Sequence, residues 1–198
     1  MRNNKTKPEW LNAIRSRLLS APDRRNPSCI PAAVLVALVS KSSGIHVVFT
    51  KRTMTVTTHK GQVSLPGGAT EPEDTDDVQT ALREAEEEVG LAPSAITVLG
   101  FLKSIRTITD FWVTPVVGAI SSPVSYRLQK EEVATVFEVP LAELLDTAQW
   151  TLERRTYNGR EYDDCRFHKG EHVIWGATGK IIYSMAEKLN GLFMAGSS

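Results

Sequence analysis

The hydrophobic positions of this chain follow two periods, one typical of buried strands and one typical of amphipathic helices. Runs of aliphatic and β-branched residues predict strands at five places, residues 30–39, 45–51, 96–103, 111–120 and 133–139. The first run, IPAAVLVALV, lacks polar alternation, which is expected of a strand covered on both faces. The pattern therefore predicts a sheet whose first strand is fully buried.

Helical spacing of apolar residues predicts three longer helices and one short one. The first covers about residues 8–20, the second follows residue 74, the short one covers residues 141–145, and the last lies near the end of the chain. Aspartates at the start of the second helix supply a cap, and Gly90 supplies a natural stop. The apolar stripes of the longer helices are Trp10, Leu11, Ile14 and Leu18; Val78, Ala81, Leu82, Ala85 and Val89; and Ile181, Ile182, Met185 and Leu189.

Turns and loops separate these elements. Asn158-Gly159 suits the two-residue turn of a β-hairpin between two strand-like segments. Residues 52–62 fit neither period and predict a long loop, a kind of segment that is often functional. The short strand that follows stops at Pro66-Gly67-Gly68, where a glycine turn is predicted whose amides could face a phosphate.

Length, composition and charge limit the classes of protein to which the chain can belong. Its 198 residues, 41% of them hydrophobic, suit one α/β domain with a core at about residues 28–190 and the first helix packed on it. The 23 basic and 23 acidic residues balance, which argues against nucleic acid or an anionic membrane as a partner. We also expect no membrane span, because the longest apolar run is about half of the roughly 20 residues required.

The two cysteines predict a reducing compartment. Cys29 and Cys165 have no neighbouring Cys or His at metal-ligand spacing, so buried thiols in a cytoplasmic protein are expected. The basic N-terminus has no apolar core followed by a small-residue cleavage site, which argues against a secretory signal. A homodimer is left open.

The second predicted helix carries an unusual concentration of acid. At about 100° per residue, Glu84, Glu87 and Glu88 converge on one side, whereas Glu86 lies apart. Like charges four residues apart, near the negative end of a helix dipole, require compensation. Clustered carboxylates on a rigid face suit Mg²⁺ or Mn²⁺. The plainer alternative is a solvent-exposed acidic helix in which Arg83 pairs with Glu87.

The stretch from Gly68 onward resembles a known motif. It runs G-x5-D-x8-R-E-A-x-E-E-x-G-L, similar to the Nudix box G-x5-E-x7-R-E-U-x-E-E-x-G-U, with Asp74 in place of the first Glu and one extra residue before Arg83. Upstream, Arg52-Thr53 and the segment HKGQVSLPGG resemble the signature of the coenzyme A pyrophosphatase branch. Later segments, KEEVATVFEVPL and WGAT, are also similar to that branch.

This resemblance implies a Nudix-type α/β/α sandwich with a mixed β-sheet, that is, an α/β fold. It also implies metal-dependent hydrolysis of the diphosphate of coenzyme A, or its derivatives, to 4′-phosphopantetheine and adenosine 3′,5′-bisphosphate. One alternative is a Nudix hydrolase of another nucleoside diphosphate derivative, such as ADP-ribose or a dinucleotide. The other is a non-catalytic module that senses a nucleotide.

The resemblance also implies roles for individual residues. The metal ligands are expected to be Glu84, Glu87 and Glu88, holding Mg²⁺ or Mn²⁺, and Arg83 is expected to orient them by pairing with Glu87 or Asp74. The general base is expected to be Glu132, with Glu88 as the second candidate. The residues expected to bind the substrate are Arg52, His59, Gln62, Gly67 and Gly68.

Overall fold

The computed structural model describes residues 9–54, 60–157 and 159–192. Within them four α-helices are present: α1 (Glu9–Arg15), α2 (Asp77–Val89), α3 (Leu141–Leu145) and α4 (Gly176–Leu189). The strands are β1 (Ile30–Lys41), β2 (Gly44–Arg52), β3 (Val63–Ser64), β4 (Gly67–Ala69), β5 (Ile96–Phe101), β6 (Ile105–Arg106), β7 (Phe111–Ser121), β8 (Val133–Pro140), β9 (Trp150–Tyr157), β10 (Arg160–Lys169) and β11 (His172–Ile174).

Eight strands form the main sheet, which is mixed. Its central path runs β3-β2-β1-β7-β5, while β4 pairs with β1, β6 with β7 and β8 with β2. The long central strands β1 and β7 are parallel, with Val36 opposite Val117, and the other pairs are antiparallel. Strands β9 to β11 form a separate antiparallel sheet of three strands.

The alternation of side chains along β1 and β2 divides the core between the two faces of the main sheet. On one face, Ala81, Ala85 and Val89 of α2 pack with Leu35 and Val48. On the opposite face, alternate residues of the same strands, including Val36 and Phe49, pack with apolar residues of α3, α4 and the small sheet. Both faces of β1 are therefore covered, as its uninterrupted apolar sequence predicted.

The first helix is shorter than predicted. The apolar spacing suggested a helix over about residues 8–20, but α1 ends at Arg15. Beyond it, Leu19 exchanges two backbone hydrogen bonds with Phe101, of 2.9 and 3.0 Å. Because this pairing requires extended backbone, the helix cannot continue to residue 20. None of the described helices is long and apolar enough to cross a membrane.

The glycine pair also differs from its prediction. Gly67 and Gly68 lie in the short strand β4, opposite Val34 and Ala33, and the bend precedes them at Pro66. At Gly67 the backbone has φ 154°, and a Cβ atom there would overlap the carbonyl oxygen of Ala33. The glycines therefore allow β4 to approach β1 closely, which a turn prediction did not include.

Later elements agree with the sequence pattern except between residues 102 and 110, since the strand predicted at 96–103 ends at Phe101. The β9–β10 hairpin pairs Tyr157 with Arg160 as expected, although Asn158 of its turn lies outside the described residues. The helix α3 has the predicted bounds, and Cys29 and Cys165 are buried. The interval between the predicted strands at 96–103 and 111–120 contains the two-residue strand β6, which pairs with β7.

Candidate active site

The helix α2 begins and ends where its sequence predicts. The side chain of Asp76 accepts a hydrogen bond of 2.8 Å from the amide of Gln79 and caps the helix. At the other end, Gly90 adopts a left-handed conformation with φ 74°, and its amide donates to the carbonyl of Glu86 at 2.9 Å. Since the alanines and Val89 face the core, the glutamates project towards β4 and the solvent.

An ion-pair fork fixes the loop before α2. Arg83 donates from Nε to Asp74 Oδ1 at 3.1 Å and from Nη2 to Asp74 Oδ2 at 3.0 Å. Thr80 donates to the same carboxylate. Hydrogen bonds from the guanidinium lower the pKa of Asp74 to about 2, although burial of the carboxylate partly offsets this effect. Arg83 Nη1 also lies 3.1 Å from both Glu84 and Glu87, so this arginine pairs with both of its expected partners, Asp74 and Glu87.

The two glutamates nearest the sheet are partly or fully buried. Glu88 is 3% exposed, and its Oε2 accepts a weak hydrogen bond of 3.3 Å from the amide of Gly67. Burial, together with the charge of Glu84, raises the pKa of Glu88 to about 8. Burial also raises the pKa of Glu84, whose carboxylate lies where a Cβ at Gly68 would be. Both carboxylates thus resist carrying charge without a nearby cation.

Arg52, at the end of β2, lies between the carboxylates of Glu88 and Glu132. Its Nη1 is 3.8 Å from Glu88 Oε1, and its Nη2 is 3.8 Å from Glu132 Oε2. These distances allow attraction but are too long for direct hydrogen bonds. Within the described part of the chain, the buried Nε of Arg52 also has no hydrogen-bond partner. The guanidinium is therefore incompletely paired.

The segment before β8 brings Glu132 to the site. It folds over the end of α2, where the amides of Arg127 and Gln129 donate to the carbonyls of Val89 and Glu88. Farther along, the amide of Thr53 donates to the carbonyl of Glu132 at 2.8 Å. Residues that are distant in sequence are thereby joined at one end of the sheet.

The remaining predicted residues have different positions. The carbonyl of Gln62 accepts from the amide of Arg52 at 2.9 Å, which places it beside the arginine. The amide of Gly67 faces Glu88 rather than an open phosphate site, because β4 packs against the helix. His59 lies outside the described residues.

The three proposed metal ligands are not gathered into one cluster. No group of three or more His, Cys, Asp or Glu residues among the described residues could hold a metal ion as they stand. Glu87 is 54% exposed, and the guanidinium of Arg83 lies 3.1 Å from both Glu87 and Glu84. Glu88 is instead buried against the amide of Gly67. The donor chemistry nevertheless fits a hard cation, since buried carboxylate oxygens with raised pKa values lie together.

The position of Arg52 among the acids is not predictable from the sequence. The resemblance predicts only that Arg52 binds substrate. No periodicity or spacing in the sequence indicates its contacts with Glu88 and Glu132. The partners of Arg83 were easier to predict because they lie within one helix and its preceding loop.

Comparison with known proteins decides the family. A family model described as NUDIX domain matches residues 30–173. The chain belongs to the Nudix hydrolase family. A Photorhabdus laumondii relative, named Uncharacterized Nudix hydrolase NudL, is 33% identical over 181 residues, covering 91% of this chain and 96% of the relative. The protein of the same name from Cronobacter sakazakii is 40% identical over 158 residues, covering 78% of this chain and 80% of the relative.

Solved structures show the same Nudix fold. A C. elegans Ap4A hydrolase in a binary complex matches with a TM-score of 0.50 and 19% identity, covering 58% of this chain and 83% of that one. The M. smegmatis Nudix hydrolase RenU matches with a TM-score of 0.50 and 23% identity, covering 65% and 81% respectively. The predicted α/β sandwich with a mixed sheet is confirmed. This Nudix hydrolase acts on a nucleoside diphosphate derivative, and the family generally uses divalent cations such as Mg²⁺ or Mn²⁺.

The fork between Arg83 and Asp74 leads to a prediction about stability. Asp74→Asn should lower the free energy of unfolding at pH 7 by about 1.5–3 kcal/mol, the range for hydrogen bonds to charged groups. Because the folded pKa of about 2 lies below the ordinary 3.8, this contribution is complete above pH ~4 and lost as the pH falls through ~2. Urea unfolding at several pH values measures it. Asp76→Asn is the control, since asparagine caps a helix as well as aspartate.

A second prediction concerns the buried Glu88. Its folded pKa of about 8 exceeds an unfolded value of roughly 4.3, so the folded protein binds the extra proton and loses stability as pH rises through that window. In EDTA at pH 8, the free energy of unfolding of Glu88→Gln should exceed that of the wild type by about 1–3 kcal/mol, and the two should differ little near pH 4. Chemical denaturation tests this beside the exposed Glu86→Gln variant. A destabilised Glu88→Gln protein at pH 8 would contradict the burial argument.

Proposed function

We propose that this Nudix hydrolase is a divalent-cation-dependent coenzyme A diphosphatase that acts as a single catalytic domain. The observation that carries the proposal is the position of the upstream signature. Arg52 and Gln62 from that segment are joined by a backbone hydrogen bond, and Arg52 lies within 3.8 Å of carboxylates on α2 and in the segment before β8. The residues that resemble the coenzyme A branch therefore adjoin the residues that resemble the Nudix box.

The acids of α2 suit the cation that this proposal requires. Glu84, Glu87 and Glu88 would hold Mg²⁺ or Mn²⁺. A bound divalent cation would neutralise the diphosphate and lower the pKa of a coordinated water. The raised pKa values of Glu84 and Glu88 support this assignment, because their burial and mutual repulsion require a positive charge that Arg52 only partly provides.

The proposal assigns each step of the hydrolysis to a group of the protein. Water attacks one phosphorus of the diphosphate, its proton passes to a carboxylate, and the bond from that phosphorus to the bridging oxygen breaks. Glu132 is the first candidate for the base because its side chain is 43% exposed and accessible to water, and Glu88 is the second. Arg52 would bind a phosphate oxygen with its incompletely paired guanidinium. Arg83, held by Asp74, would orient Glu84 and Glu87.

The metal assignment is tested by one matched pair of variants. Glu87→Gln should reduce turnover by roughly two to three orders of magnitude, the scale of losing one strong electrostatic stabiliser. Glu86→Gln, one position away and also exposed, should retain turnover within about twofold, as a surface change away from the site does. Steady-state kinetics with Mg²⁺ and with Mn²⁺ measure both. Unchanged turnover in Glu87→Gln would remove Glu87 from the proposed ligands.

The substrate is tested by direct comparison. Coenzyme A should have a kcat/KM at least about tenfold above those of ADP-ribose and a diadenosine polyphosphate, a difference of about 1.4 kcal/mol. Product analysis in ¹⁸O-labelled water identifies both products and the phosphorus attacked. A preference for ADP-ribose or the dinucleotide would replace the substrate but keep the enzyme class. Tight binding with no product after long incubation with metal would favour a sensing module.

A further inference from the structure

A second cleft lies on the opposite face of the main sheet from α2. Its volume is about 330 Å³, and its lining includes Lys51, Lys60, Gln62, Glu171, His172 and Trp175. This volume lies at the lower end of the roughly 300–1,000 Å³ typical of small-molecule sites. Two ammonium groups, an imidazole and an indole thus face one space, opposed by the single carboxylate of Glu171.

One lining residue, His172, belongs to a stack of rings that continues into the core. Lys51 lies two residues after Phe49 on β2 and therefore on the same face of the sheet. The ring of Phe49 stacks on that of Phe137, with centroids 5.6 Å apart. Phe137 in turn stacks on His172 at 4.0 Å, with an interplanar angle of 12°. This stack sets the position of His172, and its Nε2 lies 3.9 Å from the exposed Glu171. The lining is therefore held by the core rather than by surface side chains alone.

Trp175 supplies an aromatic platform at the edge of the cleft. Trp175 is 38% exposed, which is unusual for so large an apolar residue, and the guanidinium carbon of Arg166 lies 5.8 Å from the centroid of its ring. A nucleobase can stack on such a surface, with about 1–3 kcal/mol per base. Trp175 also immediately precedes α4, whose start has no side-chain cap, so the positive end of that helix adjoins the cleft.

The cleft and the candidate active site meet at the end of one strand pair. Lys51 and Arg52 are adjacent, and the pairing of β2 with β8 shifts register between them. Such an irregularity redirects side chains locally. Beyond Arg52, β2 ends, and Gln62 both lines the cleft and accepts the Arg52 amide. One ligand can therefore extend around this end of the sheet from the diphosphate site to the cleft.

We propose that this cleft binds the nucleotide end of the substrate through a second phosphate, a monoester separate from the diphosphate. Lys51 and Lys60 attract the phosphate as point charges, His172 adds a donor, and Trp175 receives the base. For coenzyme A this phosphate is the 3′-phosphate of the ribose, so the inference rests on the proposed function for its substrate. The inference assigns substrate specificity to Lys51, Lys60, His172 and Trp175, which belong neither to the Nudix box nor to the contacts of Arg52.

The test compares coenzyme A with dephospho-coenzyme A, which lacks only that phosphate. Lys51→Met keeps the apolar stem and should reduce kcat/KM for coenzyme A about tenfold through KM, equivalent to about 1.4 kcal/mol. The same variant should leave dephospho-coenzyme A unchanged within about twofold. Lys180→Met, a lysine on the exposed side of α4, is the control and should change neither. Equal losses on both substrates, or no loss, would overturn the proposal.

A binding measurement separates this inference from the proposed function. Calorimetry without metal should show that adenosine 3′,5′-bisphosphate binds the wild-type protein more tightly than AMP, and that Lys51→Met removes the difference. Trp175→Leu should weaken both ligands. If coenzyme A is not hydrolysed but the bisphosphate preference depends on Lys51, the cleft assignment is supported and the proposed function fails. If coenzyme A is hydrolysed and the bisphosphate has no preference over AMP, the cleft assignment fails alone.

Discussion

Two carboxylates, Glu84 and Glu88, are packed between α2 and β4 with less positive charge around them than their burial requires. Glycines at positions 67 and 68 make this packing possible, because side chains there would overlap β1 or the carboxylate of Glu84. The closeness of β4 to β1 and the position of α2 over the sheet are therefore linked to the same two residues. The rest of the site is arranged around this acidic interior.

The positive charges near these acids have different roles. Arg83 is fully engaged by Asp74, Glu84 and Glu87, and its fork ties the preceding loop to the helix. Arg52 contacts Glu88 and Glu132 only at 3.8 Å and keeps donors available. Arg83, with its donors used, orients the acids, whereas Arg52 has donors available for a ligand. This combination suits a site that binds an anionic substrate together with a cation. In the absence of both, the acids reduce the stability of the fold, a common cost of a functional site.

The main sheet separates two sets of polar residues. The acidic set lies on the side of the sheet that α2 covers. The cleft on the other side is lined by Lys51, Lys60, His172 and Trp175. Because side chains alternate along β2, Lys51 and Arg52 lie on opposite faces of the sheet. Since the strand ends there, one elongated ligand can contact residues on both faces. This arrangement divides the chemistry from the recognition. The small sheet and α4, which are distant from the Nudix box in sequence, acquire a role in specificity.

The sequence by itself determined the elements that local patterns govern. The bounds of α2, its aspartate cap, its Gly90 stop and its buried stripe follow from residue spacing, as do β1, α3 and the hairpin. The box motif identified the family for the same reason, since its acids are all carried by one helix and its preceding loop. Even the pairing of Arg83 with Asp74 and Glu87 was predictable within that segment.

Only the tertiary structure decided which of these groups meet residues from elsewhere. The contacts of Arg52 with Glu88 and Glu132, the shortening of α1 by Leu19 and Phe101, and the packing of Gly67 against Ala33 all join distant segments. The different surroundings of Glu87, which is exposed beside Arg83, and of Glu88, which is buried against Gly67, depend on where Arg83 and β4 lie around the helix. Helical periodicity predicts a direction from the axis, but burial and partners beyond the helix determine where each carboxylate rests.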